Sequence, residues 1–397
     1  MAIRTIKDVD LTGKTVLIRL DLNVPLSDGK VTDDTRIIAA LPSLRYLLDN
    51  GSALIVCSHL GRPKAREPEF SLAPVASRLQ QHLGLSISMV DKVVGERAYK
   101  AAKALHPGDV LLLENTRYEK GETKNDPQIA QGLAKLADAF VNDAFGTAHR
   151  AHASNVGVAT IMRQTGRPAV AGFLLEKEIE FLDQAVQKPE KPFVAIIGGA
   201  KISGKIDVIQ NLANRVDKLL LGGGMANTFL AAQGYEMGDS LVESDKVDQA
   251  HDLLDEFGDQ IVLPVDGVLA DSFSDEADSK EANVTDITEG WRMLDIGPST
   301  LNLFEYHLKD ARTVVWNGPM GVFEFPRFAA GTLQVARLLG PITRSGGTTI
   351  IGGGDSAAAI VQAGLRDQVS HISTGGGASL EMLEGKILPG IAALDTI

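Results

Sequence analysis

Along this chain, short unbroken apolar runs alternate with segments whose apolar residues recur every three or four positions. TVLIRL (15–20), ALIVC (53–57), VLLLE (110–114) and AFVND (139–143) punctuate the first part. FVAII (193–197), KLLL (218–221), TVVWN (313–317), TTIIG (348–352) and VSHIS (369–373) punctuate the second. Each run is followed by a turn rich in Gly, Pro or polar residues and then by helical periodicity. Runs without polar alternation predict strands covered on both faces, and helices between them predict parallel pairing. The pattern therefore predicts an α/β chain with two doubly wound, Rossmann-like parallel-sheet domains and a cleft between them. Between the two sets, Leu175, Ile179, Leu182 and Val186 recur at helical spacing among Glu176, Lys177, Glu178 and Glu180, and KPEKP follows at 188–192. Proline ends a helix, so a linking helix is expected over 173–188. The domains are then 1–172 and 189–383, with the tail 384–397 packing back on the first. The GGG triplets mark strand ends and show no fixed repeat period.

Length agrees with this division, because 397 residues exceed one ordinary core. Charge narrows the function. With 51 acidic against 39 basic residues the net charge is −12, which argues against a nucleic-acid or anionic-membrane partner. Any anion site must be local. The one cysteine, Cys57, cannot form an internal disulfide. No apolar run reaches the roughly 20 residues of a membrane span, and MAIRTIKDVD lacks the apolar core of a signal peptide. A cytoplasmic location is expected.

In open parallel sheets, ligands bind beyond the carboxyl ends of the strands. At those positions the first part carries Asp21 and Asn23, then His59 and Arg62, then Arg117, then His149 and Arg150, with Arg36 in TDDTRI. Any one of these could be a surface residue or the partner of a neighbouring carboxylate. Four strand ends with the same chemistry point instead to an anion pocket built from guanidinium forks, which match carboxylate and phosphate oxygens.

The second part places glycines where the first places arginines, in GGAK, GGGM, GGGDS and TGGGAS. One triplet reads as a tight strand-to-helix turn. Four favour a nucleotide, whose phosphates suit backbone N–H groups and helix N-termini. GAKISGK (199–205) has P-loop spacing, but Ile206 replaces the Ser or Thr that would hold magnesium. Gly352, Gly354 and Ala357 fit G-x-G-x-x-A, yet no acidic residue ends the next strand. Asp355 either caps its helix or holds a metal ion on nucleotide phosphates.

The strings RLDLNVP, SHLGRP, LLLENTRYE, NDAFGTAHRAHAS, GGAK, LLLGGGMANTFL, VVWNGPMGVFE, GGGDS and STGGGASLEMLEGK resemble, in order from about residue 15 onward, the phosphoglycerate kinase family. The resemblance implies transfer of the acyl phosphate of 1,3-bisphosphoglycerate to ADP, giving 3-phosphoglycerate and ATP. It implies that Asp21, Asn23, Arg36, His59, Leu60, Gly61, Arg62, Arg117 and Arg150 bind 3-phosphoglycerate. Arg36, Lys201 and Gly375, Gly376 and Gly377 are then catalytic. Lys201, Lys205, Asn317, Glu324, Gly353, Gly354, Asp355 and Ser356 bind the nucleotide, with Glu324 on the ribose and Asp355 on Mg2+. Hinge closure and a monomer are also expected. The chain departs from the family pattern at Leu22, Gly204, Ser356 and FPRFA (325–329).

The chemistry agrees with that implication. A carboxylate is already ionised at neutral pH and needs no base, so its phosphorylation reduces to positioning and charge neutralisation. Two other readings remain open here: a kinase acting on another small carboxylate, and a sensor that binds nucleotide and anion without turnover.

Overall fold

The computed structural model describes residues 3–397, apart from the side chains of Gln184 and Val186. The chain divides into two compact units, Met1–Glu180 with Ile387–Ile397, and Phe181–Lys386.

In the first unit six strands form one parallel sheet, ordered Ile87–Val90, Val110–Leu113, Ala53–Cys57, Thr15–Leu20, Ala139–Asp143 and Ala169–Ala171. The central strands are buried along almost their whole length, as continuous Val, Ile and Leu runs demand. Val16, Ile18, Leu54, Val56, Leu112 and Val141 join one core with Ile37, Leu41 and Leu44 of helix Thr35–Asp49. The order reverses beside Thr15–Leu20, whose neighbours are Ala53–Cys57 and Ala139–Asp143. That is a topological switch point, and the loops after these strands open there. The last residues belong to this unit: Gly390 N–H donates to Ala148 O at 2.8 Å and Asp395 N–H to Ala169 O at 2.8 Å.

In the second unit the parallel order is Ile261–Val262, Lys218–Leu221, Phe193–Ile197, Thr313–Asn317, Thr348–Gly352 and His371–Ile372. Its switch point lies between Phe193–Ile197 and Thr313–Asn317. Trp316, fully buried in the central strand, satisfies its indole N–H on Gly318 O at 2.8 Å. A three-stranded antiparallel sheet, in which Asp266–Ala270 lies between Ser279–Asn283 and Arg292–Ile296, is an addition that the sequence reading did not contain.

The expected linking helix forms over Phe173–Gln187, and the division between the units falls within it, after Glu180. Its start is anchored in the first unit: Phe173 N–H donates to Ser43 Oγ at 2.9 Å and Leu175 N–H to Asp143 Oδ1 at 3.0 Å.

Candidate functional site

In the first unit, parallel register sets Arg19 level with Cys57 and Asn142, so the loops beyond these strands begin side by side. Asp21 and Asn23 leave the first strand. Asp21 Oδ2 accepts from Arg36 Nη1 at 2.9 Å, which places Arg36, near the start of helix Thr35–Asp49, at the strand ends. Asn23 Oδ1 accepts from Gly61 N–H at 2.8 Å. Gly61 has φ +59, and a Cβ there would run into the Phe70 ring at 2.3 Å, so both backbone freedom and space require glycine.

Asn115 joins the next two loops. It accepts from the N–H groups of Leu60 at 3.2 Å and Arg117 at 3.0 Å, and donates to the carbonyls of Leu60 at 2.7 Å and Phe70 at 2.9 Å. Leu60 is buried, and both its N–H and its carbonyl are held by Asn115. Arg117 Nη1 donates to Gly61 O, while its Nε is buried with no partner. A buried N–H left unpaired is costly, by roughly 1–3 kcal/mol, and points to a ligand oxygen. Arg62, Arg117, Arg150 and His152 line one cavity of about 1050 Å³. Burial, and then Arg150, Arg19 and Arg62, bring the Arg117 guanidinium down to about 10. Such crowding of like charge is relieved by an anion.

The histidines do not share that charge. Burial first, then Arg19, Arg117 and Arg150, push His152 down to about 4, and His59 is held well below the usual histidine value by burial, Arg19, Arg117 and Arg36. Both are neutral at pH 7. His149 is partly exposed in the same loop.

Sequence reasoning missed the support beneath the pocket. Arg19, almost wholly buried, donates from Nε to Ser154 Oγ at 2.9 Å, from Nη1 to Leu20 O, and from Nη2 to His59 Nδ1 at 3.2 Å. Ser154 Oγ donates to Glu122 Oε1, and Ser154 N–H to Glu122 Oε2 at 3.0 Å. Burying an unpaired cation costs several kcal/mol, and Glu122, also buried, supplies the counter-charge through the serine. A charge inside an otherwise apolar, doubly covered strand was the available signal.

In the second unit, Lys205 occupies the turn before helix Ile206–Ala213 and donates to Gly198 O at 2.6 Å, Asn317 O at 3.1 Å and Asn317 Oδ1 at 3.0 Å. All three ammonium N–H groups are thus used on the two strand ends at the switch point. Lys205, which the sequence reading set on nucleotide phosphates, here ties the two turns together. Burial brings it down to about 8, opposed by Asp355. Asn317 Nδ2 is buried without a partner, an unpaired donor at the same place. Lys201 is exposed in the turn after Phe193–Ile197.

The glycine triplets divide by what surrounds them. A Cβ on Gly198 would meet Pro319 O at 2.1 Å, and one on Gly223, with φ +68, would meet Gly199 O at 2.6 Å. These glycines let turns pack on each other. Gly354 and Gly376 face open space. Gly353 is the N-cap of helix Gly354–Gln362, with no side-chain cap, so Asp355 does not cap it; Asp355 is exposed in the first turn. Ser356 is buried and accepts from Gly318 N–H at 2.7 Å, so the hydroxyl supports the neighbouring turn. Gly375 N–H donates to Ser373 Oγ at 3.1 Å, and Gly376 and Gly377 start helix Gly377–Leu383. Glu324 is exposed in the loop after Thr313–Asn317. Gly204 has room for a Cβ, and Pro326 opens a short 3-10 turn, so neither departure disturbs the backbone.

A sequence model of the phosphoglycerate kinase family matches residues 6–386. The chain belongs to this family. It is similar to the phosphoglycerate kinase of Thermosipho africanus, 56% identical over 395 residues that span 98% of this chain and 97% of that one. It is also similar to the cytosolic phosphoglycerate kinase 3 of Arabidopsis thaliana, 54% identical over 99% of this chain and 98% of that one. Among solved structures, the phosphoglycerate kinase of Coxiella burnetii superposes with a TM-score of 0.88 at 42% identity, covering 98% of both chains. That of Pyrococcus horikoshii OT3 gives 0.86 at 34% identity with the same coverage. As a phosphoglycerate kinase the chain is a phosphotransferase with a carboxyl group as acceptor.

Proposed function

We propose that this chain transfers a phosphoryl group reversibly between the acyl phosphate of 1,3-bisphosphoglycerate and ADP, with 3-phosphoglycerate and ATP as the other pair. The observation that carries this is the arginine-crowded cavity of the first unit, where Arg117 keeps an unpartnered buried N–H beside Arg62 and Arg150. That charge suits the phosphate and carboxylate of a small diacid, held with Asp21, Asn23 and neutral His59. Arg36 balances charge on the group in flight.

The nucleotide is assigned to the second unit, with Lys201 on the transferring phosphate, Asn317 Nδ2 and the Gly353–Gly354 turn on the nucleotide, and Glu324 on the ribose. The amides of Gly376 and Gly377 face the developing charge. Lys205 keeps the turns of Gly198 and Asn317 in place. Asp355, exposed in the first turn of its helix, fits Mg2+ held mainly by nucleotide phosphates and water. When bound there, Mg2+ neutralises phosphate charge.

Residues 1–172 and 384–397 then serve the acid and 189–383 the nucleotide. Helix Phe173–Gln187 joins them in the chain and is the proposed hinge, because an acyl phosphate must be kept from water until both ligands are bound. A cytoplasmic monomer without nucleic-acid or membrane partners fits the net charge of −12 and the cytosolic plant relative. No helix among the described residues is long and apolar enough to cross a membrane.

The test is a coupled assay with 3-phosphoglycerate, ATP and magnesium. ADP formation dependent on 3-phosphoglycerate is expected. Activity confined to another carboxylic acid would replace the substrate, and binding of both ligands without turnover would replace the enzyme by a sensor.

A further inference from the structure

Arg19 lies in strand Thr15–Leu20 and His59 just beyond the end of its neighbour Ala53–Cys57, and their contact decides where a proton sits. A guanidinium has donors only, so Nη2 at 3.2 Å from Nδ1 makes a hydrogen bond only if Nδ1 carries a lone pair. A proton on Nδ1 would set two N–H groups against each other. The carboxylate oxygen on that side, Asp21 Oδ1, is 4.0 Å away, beyond hydrogen-bond reach, and Asp21 Oδ2 is held by Arg36. Arg19 cannot swing aside to make room, because Nε is fixed on Ser154, Nη1 on Leu20 O, and Ser154 in turn on Glu122.

We infer that Arg19 is a positioning residue that locks His59 in the neutral tautomer protonated on Nε2. The ring then offers a bound anion one fixed N–H donor and no titrating charge. The groups facing His59 are Arg19, Arg117, Arg36 and His152, all of which oppose a second proton, with burial opposing it most. Among the described residues Asp21 is the one carboxylate that pairs with the ring, and Glu122 reaches Arg19 through Ser154. The cavity's positive charge therefore comes from its arginines and lysines, and His59 adds no titrating charge to it as pH crosses the usual histidine range. This rests on the assignment of His59 to 3-phosphoglycerate.

The lock is read in the full-length protein with ring-15N-labelled histidine, using long-range proton–nitrogen correlations assigned by the signal lost in His59→Gln. Expected is a bare, pyridine-like Nδ1 and a protonated Nε2, unchanged from pH 8 to about 5.5. A protonated Nδ1, or a ring that titrates near the ordinary histidine value, overturns the proposal. In Arg19→Lys and in Ser154→Ala, each checked for native circular dichroism, His59 is expected to populate both tautomers or to titrate within that range. A single unchanged tautomer in both folded variants also overturns it. If neither variant folds, the wild-type spectrum still decides. The substrate assignment is tested separately: His59→Ala should raise KM for 3-phosphoglycerate about tenfold, and His59→Gln, which keeps a donor at the reach of Nε2, less than about threefold. An unchanged KM in both sinks the contact with substrate and leaves the tautomer lock standing.

Discussion

Arg36 donates to Asp21 across 2.9 Å, while its own side chain remains about one-third exposed. The pair joins the residue proposed to touch the moving group to the loop that holds the acid, so the two parts of the arginine set should separate in kinetics. Arg36→Ala is expected to lower kcat on the order of a hundred- to a thousandfold, by analogy with lost oxyanion donors. Arg62→Ala or Arg150→Ala should mainly raise KM for 3-phosphoglycerate, about ten- to a hundredfold. Saturating rates with each variant check this. A near-normal kcat in Arg36→Ala would return that residue to the binding set.

Lys201 stands exposed in the turn after Phe193–Ile197, unlike Lys205, whose ammonium is fully engaged. Lys201→Ala should therefore leave the thermal midpoint within about 2 °C, since surface substitutions rarely matter, and lower turnover by at least about a hundredfold. Lys205→Ala, which leaves Gly198 O and Asn317 Oδ1 without their ammonium donor, should lower both. Calorimetry with steady-state rates separates the two, and equal stability losses would count against the distinction.

Because burial brings Lys205 down to about 8, its charge is present below that value and lost above it. Values of kcat/KM for the nucleotide report the free enzyme. They are expected to fall as pH rises through about 8, and to stay level in Lys205→Arg. The same fall in the arginine variant would assign the titration elsewhere.

Asp295 gives a stability prediction of opposite kind. It is buried in strand Arg292–Ile296, accepts from Ile296 N–H at 2.9 Å and Gly331 N–H at 2.7 Å, and is raised by burial to about 7. Between its unfolded value near 4 and 7 the native state binds the extra proton, so this group makes stability fall as pH rises, by roughly 4 kcal/mol at most. In Asp295→Asn that part of the slope should vanish. Urea unfolding at several pH values between about 4 and 8 measures it, and parallel slopes in the two proteins would refute the assignment.

The strands that the apolar runs announce are in the structure, because a strand covered on both faces has no polar alternation to confuse the reading. Ile87–Val90 is four residues long with half-exposed positions, and Ala169–Ala171 has three residues, too few to carry a period. Ser279–Asn283 is an almost wholly exposed edge strand, so it left no apolar trace of its own. The arginines at strand ends were legible because position alone marks them. Arg19 was hidden inside TVLIRL, and Glu122 and Ser154 look like ordinary loop residues, since their burial depends on contacts 135 and 32 residues apart. The glycine triplets were legible as turns, but whether a turn faces a ligand or another turn depends on tertiary packing.

Cys57 ends a central strand with its sulfur fully enclosed, and burial pushes the thiol up to about 12. Thiolate is the reactive form, so alkylating reagents should pass over the folded molecule. The chain thus carries an intrinsic clock for global opening, since the rate of Cys57 modification should follow exposure of the first unit's innermost sheet. For the same reason a cysteine placed anywhere on the surface would be the sole site taking a fluorophore or spin label, with no need to remove the native one.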